Sequence, residues 1–403
     1  MRLKGLPLAE ERRANGGTLA LRSSSPIALA HQRVREFIAN QSPTSGAGAG
    51  SGSTAVGARP CAVTGSAVFV SNSLFISGDQ CPSLVQSLTQ HPDVAQIVPD
   101  RKVQMLLNTS VPKIRAPQLW STVDASGRPV RGEEIRIGIV DTGIDYTHPD
   151  LGGCLGVGCK VEGGIDTVND DSDPMDDESH GTHVASIAAG DGVIKGVAPA
   201  AKLYGIKVLT AQGWGFSSWI IEGIEWSVDP NQDGDPSDHL DVINFSLGAD
   251  CGGFYDQYCG PDDDQSLALD RAVAMGVTAV VAAGNNGTLT INSPGTARNA
   301  ITGAASTDDD HIAGFSCRGP MSGYPEIEKP DLAAPGVGIC AARLSNTGTE
   351  GGCVDGQHIS YSGTSMASPH VAGAAALLLQ LHPDWSPATV REALKLSAID
   401  IGE

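Results

Sequence analysis

GTSMASPHVAGAAALL, from Gly363 to Leu378, is the stretch that decides the fold. From Val371 to Leu381 it is apolar on every face, so it reads as a helix buried at the centre of a domain. Ser365 opens that helix, and a serine in such a place is most often only an N-cap. The neighbours Gly363, Thr364, Met366 and Pro369 argue for more. Gly363 lets another backbone come close, Pro369 is tolerated in a first turn, and the positive helix end would face an oxyanion formed by attack at Ser365. A hydroxyl needs a base before it is a useful nucleophile, and an imidazole base needs a carboxylate to fix its tautomer. DTG at Asp141 and HGTH at His180 supply both residue types among small neighbours, in the order Asp, His, Ser.

Working outward, VDTGIDYTHPDL from Val140, HGTHVASIAAG from His180, SLG at Ser246, AAGNNG from Ala282 and GTSMASPHVAGAAALL from Gly363 resemble the signatures of the subtilisin-like serine proteases, in sequence and in order. The resemblance runs from about Val111 to the C-terminus. It implies a serine endopeptidase that forms an acyl-enzyme and needs no organic cofactor. Ser365 would be the nucleophile, His180 the base and later the acid, and Asp141 the group that orients the imidazole. Asn285 would be the side-chain donor of the oxyanion hole, paired with the Ser365 N–H. Polypeptide substrate would lie as an extended strand between Gly213, Trp214 and Gly215 on one side and Ser246, Leu247 and Gly248 on the other. Ala283 and Gly284 would line a primary pocket open to a sizeable apolar side chain.

IRIGIV, KLYGIKVL, DVINFSL and VTAVVAA are short apolar runs, and SSWIIEGIEW, SLALDRAVAM and PATVREALKL have helical spacing, the last with Ser386 as N-cap and Pro387 at the first helical position. Such alternation predicts an α/β domain, a mostly parallel sheet with helices on both faces. Ligands bind such sheets beyond the carboxyl ends of strands, and Asp141, Ser246 and Asn285 all follow such ends. His183, one turn beyond His180, reads as a packed structural histidine, because no third ligand follows at zinc-site spacing.

Residues 1–108 read as a separate small α+β domain, ferredoxin-like, and 109–403 as the catalytic domain. HQRVREFIAN and PSLVQSLTQHP have helical patterns, AVFVSNS and VAQIVPDRKVQM strand patterns, and residues 45–58 form a Gly/Ser-rich flexible insert. This order, with HPDVAQIVPD, resembles the inhibitory prodomain of subtilisin-like zymogens, although the usual first strand has little counterpart before Leu8. The resemblance implies an intramolecular inhibitor and self-cleavage between about Met105 and Ser110.

The 403 residues are 40% hydrophobic and 18% charged, a globular composition, and the formal charge of −20 argues against nucleic acid and anionic membranes as partners. No apolar run reaches the roughly 20 residues that span a bilayer. Nine cysteines, as Cys61/Cys81, Cys154/Cys159, Cys251/Cys259 and Cys340/Cys353 with Cys317 left over, point to an oxidising compartment, though reduced buried thiols and other pairings fit the count too. A secreted, monomeric protein is expected. MRLKGLPLAEERR lacks the apolar core of a signal peptide, so the N-terminus, like the short C-terminal end at Glu403, is expected to be incomplete.

Two acidic loops are candidate calcium sites. NDDSDPMDDE concentrates carboxylates before His180, and Asp166, Asp171 and Asp173 fall where some subtilisin relatives bind calcium. DPNQDGD offers Asp229, Asn231, Asp233 and Asp235 with Gly234 among them, but Leu240 stands where an EF-hand places its bidentate Glu. Residues 191–195 are too short for the calcium loop of many subtilisins, which leaves Asp150 as a turn residue. His180 and Asn285 argue against a sedolisin-type carboxylate base, and the absence of acidic residues in GWG and SLG argues against kexin-like specificity. A retired, non-enzymatic binding scaffold would need a substituted catalytic position, and none is substituted.

Overall fold

The structure, a computed structural model, describes residues 1–4, 25–41, 61–68, 71–79, 81–98, 102–105, 113–249, 251, 259–287, 290–321, 323–345 and 353–401. The insert at 45–58 and the boundary at 108/109 lie outside them. The N-terminal part contains β1 (Arg2–Leu3), α1 (Pro26–Gln41), β2 (Ala62–Ala67), β3 (Ser73–Ser77), α2 (Cys81–Thr89) and β4 (Val94–Gln96). Its strands pair antiparallel in the order β2-β3-β1-β4, the βαββαβ pattern of ferredoxin-like domains. Leu3, Val34, Ile38, Leu74, Leu88 and Val94 close the core between sheet and helices.

The sequence missed the first strand. Arg2–Leu3 is short, but it lies between two partners: the Leu3 N–H reaches Asn72 O at 2.8 Å and the Lys4 N–H reaches Asp93 O at 2.7 Å. Within AVFVSNS, Ala67 ends β2 and Ser73 begins β3, and residues 69–70 lie outside the described ones. Buried Asn72 just before β3 spends its carboxamide on Lys4 O at 3.0 Å and His31 Nε2 at 2.8 Å. VAQIVPDRKVQM divides into β4 and a separate β5 (Lys102–Met105).

From Lys113 the chain runs through α3 (Ala116–Leu119), β6 (Arg136–Asp141), β7 (Val161–Asp166), α4 (His180–Ala189), β8 (Lys202–Lys207), β9 (Trp214–Phe216), α5 (Ser217–Val228), β10 (Val242–Phe245), β11 (Leu247–Gly248), α6 (Asp264–Met275), β12 (Thr278–Ala282), β13 (Ile301–Ser306), β14 (Leu332–Pro335), β15 (Ile339–Ala342), β16 (His358–Tyr361), α7 (Thr364–Leu381) and α8 (Pro387–Ser397). Seven strands form one sheet, β14-β13-β12-β10-β6-β8-β7, and every pairing in it is parallel. Neighbouring residues of one strand serve opposite faces. Ile139 and Val280 join the core under α4 and α7, while Val140 and Val281 join the core under α5 and α6. Both faces are covered, so the strands read as unbroken apolar runs. The α5 side also receives Ile27, Ala67 and Phe75 from the N-terminal part. Glu225 accepts from the Val68 N–H across the same seam, and Arg2 pairs with Asp264.

Four disulfides, Cys61–Cys81, Cys154–Cys159, Cys251–Cys259 and Cys340–Cys353, follow the local pairing, and Cys317 is a buried free thiol.

Asp150 is more than a turn residue. It is buried, its Oδ1 accepts from the Val193 N–H at 2.8 Å, and its Oδ2 accepts from Ile194 N–H at 3.1 Å and His358 Nε2 at 2.9 Å. The other ring nitrogen of His358 lies 2.6 Å from Asp355 Oδ1. Carboxylates only accept, so an imidazole between two of them must donate from both nitrogens and carry a charge. Burial opposes that charge, but the hydrogen bonds to Asp150 and Asp355 and the attraction of both carboxylates prevail, and the His358 pKa is raised above 6.5. His148, edge-on to His358 at 5.6 Å, is held by Gln357 O at 3.0 Å. A short loop is thus clamped by an internal cation.

A histidine with a raised folded pKa contributes stability that is complete below the unfolded value of about 6.5 and is lost as pH rises through the folded value. The thermal midpoint should therefore fall between about pH 6.5 and pH 9 by at least about 3 °C more in the unaltered chain than in His358→Gln. Parallel melting curves for the two proteins would disprove the clamp.

Candidate active site

Asp141 ends β6 and His180 begins α4, and a glycine contact sets their distance. A Cβ on Gly181 would lie 2.1 Å from Gly143 O, so glycine at 181 lets the DTG turn seat against the helix start. His180 Nδ1 lies 2.7 Å from Asp141 Oδ1, and both side chains are fully buried. The Thr142 N–H donates to the same oxygen at 2.8 Å. The Thr142 hydroxyl accepts from Gly181 N–H at 2.9 Å and donates to Asp176 Oδ1 at 2.9 Å.

Sequence reasoning missed Asp176. One oxygen accepts from the Glu178 and Ser179 N–H groups at 2.9 and 3.0 Å, the other from Thr182 N–H at 2.9 Å and its hydroxyl at 2.5 Å. It thereby caps α4, where a carboxylate also suits the helix dipole. The one available signal, an Asp four residues before His180, was lost among the other acids of NDDSDPMDDE.

Ser365 is the second residue of α7 and is buried. Pro369 lies beyond the first turn where the sequence placed it, and it has no N–H for the carbonyl four residues earlier. That carbonyl belongs to Ser365, and Ser246 Oγ donates to it at 2.7 Å. In return the Ser365 hydroxyl donates to Ser246 O at 3.0 Å. Ser246, expected only as groove backbone, therefore also anchors the serine helix with its side chain, steadied by Asn244 Nδ2 at 2.9 Å and Ser368 Oγ at 2.9 Å. Asn285 follows β12, and its Oδ1 accepts from both the N–H and the hydroxyl of Thr364 at 3.0 Å. Because the Thr364 amide can only donate, Asn285 is oriented with its NH₂ group as the remaining donor. Ala283 and Gly284 lie between β12 and Asn285. Behind them Cys317 packs with Ala283, Ile291 and Met321 as an apolar wall.

The two expected groove segments form a second small sheet, β11-β5-β9, with β5 antiparallel to both. Gln104 lies opposite both Trp214 and Gly248, Val103 opposite Gly215, Lys102 opposite Phe216 and Met105 opposite Leu247. Gly213 is buried at the turn before β9.

Charge around His180 is mostly negative. Glu178 accepts from the His180 N–H at 2.9 Å, and burial raises its pKa against the pull of His180. This half-buried acid beside the site lies outside GWG and SLG, so the sequence argument against acidic groove residues did not reach it. Buried Lys207 answers part of the charge, donating to Asp177 at 2.6 Å and Thr142 O at 2.7 Å. His183 is a packing residue, its ring tilted at 37° against Tyr361 at 4.6 Å, with burial pushing its pKa down to about 3.

The first acidic loop is held together by its own backbone amides. Asp166 spends its oxygens on the N–H groups of Val168 and Asn169 and on Asn169 Nδ2, Asp171 accepts from Asp173 N–H, and Asp173 from Met175 N–H and Tyr146 OH. Among the described residues no three His, Cys, Asp or Glu side chains converge as a metal-binding group. The second loop is less settled internally. Asp229, Asn231, Asp233 and Asp235 accept from N–H groups of Gly234, Asp233, Asp235 and Ser237, but Asp229 Oδ1 and Asp238 Oδ1 are buried without a partner among the described residues.

The sequence profile of the Subtilase family matches residues 132–402. The chain is 38% identical over 338 residues to serine protease AprX of Bacillus subtilis, covering 79% of this chain and 73% of that protein. It is 36% identical over 331 residues to subtilisin E of the same organism, covering 79% and 74%. A crystal structure of a cold adapted subtilisin-like serine proteinase superimposes with a TM-score of 0.53 at 31% identity, over 66% of this chain and 83% of the other.

Replacing Asp176 by Ala strands several buried donors at the start of α4, and should cost about 3 kcal/mol in denaturant unfolding. A loss below about 0.5 kcal/mol would show that water replaces the carboxylate without penalty.

Proposed function

Since the chain belongs to the subtilase family and is a serine endopeptidase, we propose that Asp141, His180 and Ser365 are its triad, with Asn285 Nδ2 and the Ser365 N–H as oxyanion donors. The buried 2.7 Å contact between Asp141 and His180 Nδ1 carries this reading, because it leaves Nε2 to act as base. The hydroxyl of Ser365 has one proton, held by Ser246 O. A substrate amide laid opposite Ser246 competes for that carbonyl and turns the hydroxyl toward His180. Attack on the substrate carbonyl then places negative charge between the Asn285 amide and the start of α7, where the helix dipole adds to the stabilisation. His180 protonates the leaving amine, and water activated by the same imidazole releases the acyl group. Asp141 holds the imidazole and its charge throughout.

The protein is proposed to be secreted, monomeric and made as a zymogen. Four disulfides support an oxidising compartment, and among the described residues no helix is long and apolar enough to cross a membrane. The position of β5 between β9 and β11 supports an N-terminal domain whose tail fills the groove and is cut by Ser365, with the domain then acting as inhibitor. Of the expected interval from Met105 to Ser110, residues 106–110 lie outside the described ones. The unaltered chain should lose about 100 residues on purification, and Ser365→Ala should stay intact and lose at least about 10⁴-fold in peptide hydrolysis. Intact mass and N-terminal sequencing decide this, and a Ser365→Ala chain cut in the same interval would defeat the self-processing reading.

Calcium is proposed at the second acidic loop only. Asp229 and Asp238 would hold it with their unpaired oxygens, helped by Asn231 and by solvent, and the ion would supply the positive charge that these two buried acids lack. Millimolar calcium should raise the thermal midpoint by about 3 °C or more, and Asp229→Asn should abolish the gain. An equal gain in Asp229→Asn would move the site elsewhere.

A further inference from the structure

Three aromatic side chains meet along β9 and the start of α5. Trp214 and Phe216 are half-buried, whereas Gly213, Gly215 and Ser217 between and around them are buried. Gly215 shows which face is which: its Cβ direction points at Val208 O and the Leu209 side chain, so that face is the interior. Side chains alternate along a strand, so Trp214 and Phe216 stand on the outer face. There they meet half-buried Trp219. Trp214 and Trp219 stack at 6.2 Å and 22°, and Phe216 sits edge-on to both, at 5.5 and 4.9 Å. A ridge of flat apolar surface is thus held half in water, at the margin of the groove.

The register of β5 indicates what this ridge meets. Residues directly opposite each other in an antiparallel pair share a face. A chain laid along β9 as β5 is turns the residues opposite Trp214 and Phe216 outward to the ridge, and the one opposite Gly215 inward. The position opposite Leu247 is the last before the one opposite Ser246, whose carbonyl holds the Ser365 hydroxyl. If the bond cut follows the residue opposite Ser246, the residue opposite Trp214 is the third before it and the residue opposite Phe216 the fifth.

We infer that Trp214, Phe216 and Trp219 form an aromatic subsite that selects polypeptide substrates carrying a large apolar or aromatic side chain at the third position before the cut bond, with the fifth position adding to the contact. The inference rests on the proposed groove between β9 and β11. Such a side chain loses water on the side that lies against the ridge, and aromatic pairing adds to area burial. An acidic side chain there would meet apolar surface on a protein of net charge −20 and is disfavoured twice over.

The test uses processed enzyme and peptides that differ only at the third position, with Phe, Ala or Asp. kcat/KM should favour Phe over Ala by about tenfold, with Asp below Ala. In Trp219→Ala and in Trp214→Gly the Phe/Ala ratio should fall to within about twofold of one. Because the ratio is taken within each protein, a loss of folded material cancels. A Val/Gly ratio at the fourth position, which faces the interior, should survive in both variants. Equal cleavage of the Phe and Ala peptides by the unaltered enzyme, or a ratio unchanged in both variants, overturns the subsite alone. If processed enzyme that reacts with an active-site serine probe cuts none of the peptides, the groove reading falls with it.

Discussion

Helix α7 is buried around almost its whole circumference, and everything near the site follows from that constraint. A buried helix can draw no hydrogen bonds from water, so each polar group it carries needs a partner inside the protein. Pro369 makes the demand sharper by leaving the Ser365 carbonyl without its helical donor. Ser246 meets it, and in doing so fixes the end of β10 against the start of α7. Thr364 meets a second demand by bonding Asn285. The groups that would attack a carbonyl and receive its charge are positioned by ordinary hydrogen-bond satisfaction.

The same logic operates at α4, with charge added. Asp141 can be buried because the imidazole and a backbone amide face it, and Asp176 because a helix start surrounds it with donors. A net charge of −20 would work against such a concentration of carboxylates if they were bare. Most are bound to N–H groups, to Lys207 or, at Asp150 and Asp355, to one charged histidine. The clamp around His358 and the cap on α4 are two answers to one electrostatic problem, solved from inside the chain.

The N-terminal part depends on the other face of the sheet. Its apolar residues Ile27, Ala67 and Phe75 complete the core over α5, and β5 then reaches the edge formed by β9 and β11. Strand pairing uses backbone groups, which any sequence can supply, so selectivity has to come from side chains beside the strand. Trp214 and Phe216, set outward by the buried Gly215, are the large side chains in that position.

The sequence by itself determined the parallel α/β domain and the residue types at Asp141, His180, Asn285 and Ser365, because those depend on local signals: apolar runs of strand and helix length, and short motifs of glycine and small residues. The local cysteine pairing was one of several that the count allowed, and the structure chose it. Partners that meet only across the fold were not legible. Asp176 looked like one acid among many until Thr142 and Thr182 converged on it, and Asp150 looked like a turn residue until His358, distant in sequence, arrived to bind it. Composition records how many charged groups a chain has, but which of them are paired is a property of distances that only the tertiary structure creates.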